Sequence, residues 1–131
     1  SNIYHQMSYF GPCNVGYTYY DSNQYLHTIV QEENTHLCKC EISHIYQDKR
    51  VYGVFSHWDT DGDMVVHSVG TSQIRVTGPC QGGDLLMSKG DGTAIPQDDD
   101  LMRSYTIGKV TIGAWTSNDG IQVVPCVLYC G

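Results

Sequence analysis

GGDLLMSKGDGTAIPQDDD, residues 82–100, holds the chain's clearest local signal. A strand-like run from Asp84 to Ser88 is followed by Lys89-Gly90-Asp91-Gly92, whose two glycines supply the positive φ values a tight hairpin needs. The chain then reverses into Thr93-Ala94-Ile95. RVYGVF (50–55) lies before this hairpin and SYTIGKV (104–110) after it, with a short acidic loop and one strand pair between the first two. Together they describe a small all-β unit that returns to the same sheet after each excursion.

The rest of the composition agrees. Fourteen glycines, ten tyrosines and many Val, Ile and Thr residues favour strands and turns. A length of 131 residues suits one domain, so the expectation is a single compact β-barrel or β-sandwich of short antiparallel strands over 1–131. Seven basic residues against fourteen acidic ones give a net charge of −7. That charge repels phosphate backbones, so nucleic acid is not expected as a partner. No run of about 20 apolar residues is present, so no helical membrane span is expected. SNIYHQMSYF lacks the basic start and apolar core of a signal peptide. A start at Ser1 fits either a fragment or a piece released from a longer chain by processing.

Residues 1–25 read as an irregular Tyr-rich arm and 26–131 as the β core. Tyr17, Tyr19 and Tyr25 share a parity that suits one face of an extended ribbon. They would line contacts between subunits or cover one end of the core. Leu26–Val30 and His36–Ile45 alternate like half-buried strands around the polar turn 31–35. In the next strand Val51, Gly53 and Phe55 should share one face and Tyr52 and Val54 the other, which makes it the expected centre of the core. His57–Asp63 reads as a loop, followed by strands at Met64–Val69 and Gln73–Thr77 with Ile74 and Val76 inward. Gly78-Pro79 ends the second of these. A helical turn capped by an Asp is expected at Gln97–Arg103. Ser104–Trp115 and Ile121–Tyr129 should form a final hairpin around Asn118-Asp119-Gly120.

The succession RVYGV (50–54), GDLL (83–86), GDGTA (90–94), QDDD (97–100) and SYTIGKV (104–110) resembles the C-terminal domains of tailed-bacteriophage tail fibre and tailspike proteins. The likeness covers residues 46–131. It implies a virion structural and adhesion module, assembled in the host cytoplasm and extracellular after release, with a homotrimer as its state. It also implies contact with host surface carbohydrate. Trp58 and Trp115, with Tyr17 and Tyr19, are the ligand-binding candidates, because aromatic rings stack on sugar faces. A core role for either tryptophan stands beside that reading.

Six cysteines, at 13, 38, 40, 80, 126 and 130, leave three readings open: buried free thiols, disulfides or metal ligands. Cys38 and Cys40 point the same way on a strand, which disfavours a bridge between them. His36, Cys38 and Cys40 share a face and offer imidazole and thiolate to zinc or iron, although no Cys-x-x-Cys spacing supports a site. Otherwise no cofactor is expected. Asp59-Thr-Asp61-Gly-Asp63 alternates carboxylates as a calcium loop does, but Gly62 falls at position four rather than six. Asp98-Asp99-Asp100 cannot converge on one atom if extended, and no Gly-x-Ser-x-Gly elbow occurs, so no catalytic residue is assigned. Two alternatives of other classes remain: a self-processing chaperone domain of a fibre, and a subunit of an extracellular filament or capsid decoration protein.

Overall fold

The computed structural model describes residues 9–16, 39–61, 64–116 and 120–130. The fold is all-β: β1 (Pro12–Gly16), β2 (Lys39–Ile42), β3 (Val51–Trp58), β4 (Met64–His67), β5 (Val69–Thr77), β6 (Cys80–Gln81), β7 (Leu85–Ser88), β8 (Ala94–Pro96), β9 (Gly108–Val110), β10 (Ala114–Trp115) and β11 (Ile121–Tyr129). Five strands close a barrel in the order β11-β5-β8-β7-β9. A four-stranded sheet, β2-β1-β3-β4, and the small pair β10-β6 complete it. Among the described residues, all pairings are antiparallel except β5 with β8, which meet in parallel at Val76 and Ala94.

Strand alternation fills the barrel. Ile74 and Val76 of β5, Leu86 of β7, Val110 of β9, and Val124, Cys126 and Leu128 of β11 are buried together. The predicted inward pair Ile74 and Val76 is therefore correct, as is the break at Gly78-Pro79. The Gly90–Gly92 hairpin forms as expected: Ser88 pairs with Ala94, Lys89 N–H donates to the Thr93 carbonyl at 3.0 Å, and Gly90 and Gly92 take φ of 104° and 86°.

β3 is covered on both faces, as the sequence indicates. Val54 joins the barrel cluster, while Phe55 and Cys13 seed a second cluster with Ile42, Tyr52, Trp58, Met64 and Val66 around them. The expected face assignment fails at the strand's start, because Val51 packs with Val54 and Tyr52 with Phe55. The register explains it. Cys13 pairs with Gly53 but Asn14 pairs with Val51, so Tyr52 is an extra residue and the bulge inverts the parity. A second bulge at Ser56 shifts the pairing with β4.

Four further expectations need correction. His57 and Trp58 end β3 and are not loop residues. Gly70-Thr71-Ser72 lies within β5, which pairs without interruption along nine residues of β11. Gln97–Arg103 forms bends and no helix, because the Gln97 amide takes the Leu101 carbonyl and the Asp99 carboxylate takes the Leu101 N–H locally instead. The final hairpin does not form as predicted: β9 pairs with β11 at Val110–Cys126, but β10 turns away to pair with β6. The predicted strand at Leu26–Val30, the turn at 31–35 and the arm through residue 25, apart from 9–16, lie outside the described residues.

Residues 9–12 tie the sheet to the barrel. Phe10 N–H donates to the Phe55 carbonyl at 2.6 Å, and the Phe10 carbonyl accepts from Arg75 N–H at 2.7 Å. Phe10 holds φ of 62°, an unusual conformation for a bulky residue, maintained by these bonds to two separate strands.

Candidate functional site

The β7–β8 hairpin carries a different structure at each end. At its turn, the segment 43–50 is clasped by buried polar groups. Ser43 Oγ donates to Asp48 Oδ2 at 2.8 Å and lies 3.0 Å from Ser88 Oγ, which also reaches the Ile45 carbonyl at 2.9 Å. Two hydroxyl protons serve three contacts, so with Ser43 donating to Asp48, Ser88 shares its proton between Ser43 and Ile45. Asp48, only 3 % exposed, also accepts from Arg50 N–H at 2.9 Å and faces the Arg50 guanidinium at 3.6 Å. Gln47 N–H donates to the Ser88 carbonyl and Gly92 N–H to the Ser43 carbonyl. This network satisfies a buried carboxylate and fixes His44, Ile45 and Tyr46 on the surface. Its partners are more than 40 residues apart in the Ser43–Ser88 and Ser43–Gly92 contacts, so the sequence offers no local pattern for it.

At the hairpin's open end, residues 97–106 form a loop held by its own polar groups. Gln97 N–H donates to the Leu85 carbonyl at 2.8 Å, and its side-chain amide donates to Asp99 Oδ1 and the Leu101 carbonyl. Thr106 Oγ1 donates to Gln97 Oε1 and accepts from Arg103 N–H. Arg103 binds Asp99 Oδ2 at 2.7 Å, which with the Leu101 N–H holds the Asp99 carboxyl below the usual range. Leu101 and Met102 are left pointing away from the core. Asp99 thus caps the Leu101 N–H within a loop, and no helical turn forms.

The two tryptophans lie apart and both are half-buried. Trp58 meets Phe55 edge-on, with centroids 5.6 Å apart and planes at 67°. Trp115, at the end of β10, packs against the barrel cluster, and its Nε1 is buried close to Gly113. Tyr17, Tyr19, His36 and Cys38 lie outside the described residues, and of Cys40 only the strand position is described, in β2 opposite Val15. Among the described residues no three His, Cys, Asp or Glu side chains converge as metal ligands. In the acidic loop, Asp59 Oδ1 accepts from Asp61 N–H at 2.9 Å, an ordinary turn contact. Two hydroxyls bind imidazole Nδ1 atoms, Ser56 with His57 and Ser72 with His67, and so orient the rings.

Among the described residues, Cys80, Cys126 and Cys130 are free thiols. Burial pushes Cys126 up to about 12, with a further push from Cys130, and burial raises Cys130 to about 11 from an ordinary 9.0. These groups stay protonated in the fold while the unfolded chain ionises above pH 9. Stability is therefore expected to be full below that pH and to fall as pH climbs from about 9 towards 12. A thiol reagent at pH 8 should label both slowly in the native state and promptly in urea. Equal rates in the two conditions would contradict their burial.

No protein-family model and no curated protein sequence matches this chain. Among solved structures, the N base of the head fiber protein gp8.5 of bacteriophage phi29 is similar, with a TM-score of 0.52 and 18 % identity. The match covers 95 % of this chain and 86 % of that one. The shared fold thus takes in nearly all of this chain.

Proposed function

We propose that this chain is a structural module of a phage virion appendage. The observation that carries the proposal is the near-complete fold match to a head fiber base, which agrees in class with the resemblance of residues 46–131 to phage fibre domains. The two differ in position. The sequence resemblance points to the distal end of a tail fibre, whereas the structural neighbour is the base of a fibre on the head. We favour the base reading, because both tryptophans expected to stack on sugars are packed against core clusters. Self-association, with a trimer as the expectation from the resemblance, belongs to the same proposal.

Gold-labelled antibody to this chain, applied to particles purified from the phage encoding it, is the direct test. Label at an appendage base is the expected result. Label at a distal tip would restore the adhesion reading, and particles without the protein would overturn both.

A further inference from the structure

We propose that copies of this chain pack head to tail, with the 97–106 loop of one copy seated on the 44–50 segment of the next. Leu101 and Met102 are 55 % and 60 % exposed although their loop is locked by side-chain hydrogen bonds, so the cost of ordering it is already met within the monomer. Exposed Asp98 and Asp100 directly precede them in the chain, while Asp99 is matched by Arg103. The loop therefore presents an exposed apolar pair next to two exposed carboxylates whose charge no partner among the described residues offsets, a net negative segment.

The opposite end of the hairpin presents the complement. Ile45 and Tyr46 are 46 % and 55 % exposed, on a segment pinned by the Ser43–Asp48–Ser88 clasp. Around them stand Lys49, Arg50 and, across the close approach of Gly90 to Tyr46, Lys89. Asp48 and Asp91 offset two of these charges and leave a local positive surplus. In a chain of net charge −7 with only seven basic residues, three of them at one apolar patch is a marked local reversal. Two copies repel overall, but this pairing of ends attracts, and it buries four apolar side chains.

Topology sets the form of assembly. The two patches lie at opposite ends of β7 and β8, separated by a strand of about 13 Å. A monomer therefore cannot satisfy both patches with itself. Different surfaces meeting make a heterologous contact, which closes into a ring or propagates as a filament. Head-to-tail contact of the purified chain does not depend on its place in a virion.

Sedimentation velocity of the full chain over a concentration series tests it, with circular dichroism to verify folding. D98K/D100K and K49E/K89E should each weaken association by about 100-fold or more, because like charges then face each other. Arg50 is kept in both so that Asp48 retains its partner. The chain carrying all four substitutions should associate again. A monomeric wild-type chain at every concentration, unchanged mass in both charge-reversed variants, or no recovery in the fourfold variant would overturn the proposal.

Discussion

Gly108→Ala is expected to destabilise the chain by about 3 kcal/mol and to lower its melting temperature by roughly 10 °C. A Cβ at this position would stand 2.4 Å from the Val127 carbonyl oxygen, 3.2 Å from its carbon and 3.3 Å from Leu128 Cα. All three atoms are backbone of β11, so no rotamer change makes room. Gly108 pairs with both Leu86 and Leu128, which places the clash in the seam where β9 joins β7 to β11. The natural control is Gly70→Ala, at φ of 80° with nothing within 4 Å of the added atom. That variant meets backbone strain alone and should cost about 1 kcal/mol. Thermal denaturation of the two variants side by side decides the matter, and equal melting temperatures would show that the β9 seam has room to spare.

Phe55→Ala should cost about 3–5 kcal/mol. The ring is fully buried, stacked on Tyr9 at a centroid distance of 5.6 Å and edge-on to Trp58. Its backbone bonds to Phe10 and Gly11 do not depend on the side chain, so the substitution isolates the packing loss. The change should also blue- or red-shift Trp58 emission, while Trp115, which packs on the other cluster, reports an unaltered barrel. Urea titration gives the magnitude. A loss under about 1 kcal/mol would mean that the Phe55 cluster is a loose cover over β3 rather than a second core.

Two strand glycines carry a tertiary requirement that no local pattern states. RVYGV and TIGKV each contain a glycine between bulky residues in a strand. The structure supplies the reason, since a Cβ on Gly53 or Gly108 would fall 2.4–2.5 Å from a neighbouring strand's carbonyl oxygen. The all-β class, the Gly90–Gly92 hairpin and the inward pair Ile74 and Val76 were legible because each is decided within a few residues. The choice of partner strand was not. β10 resembles the first half of a hairpin with β11, yet it pairs with β6, a segment more than 30 residues earlier. The bulge at Tyr52 was hidden for a similar reason. Its extra residue exists only relative to Asn14, and no period along β3 itself records it. Candidate surfaces fared similarly: Leu101 and Met102 look like residues of a short helix until Gln97, Asp99 and Thr106 are seen to hold them in a loop.

The barrel's order has a consequence for biosynthesis. β5 waits for β11 along its whole length, and β9 also needs β11 on its outer side. A chain emerging from the ribosome can form the β7–β8 hairpin early, but it holds two raw strand edges until Ile121–Tyr129 has been made. Prematurely terminated products would thus keep sticky edges and be cleared or aggregate, so that full-length synthesis is the condition for a soluble fold.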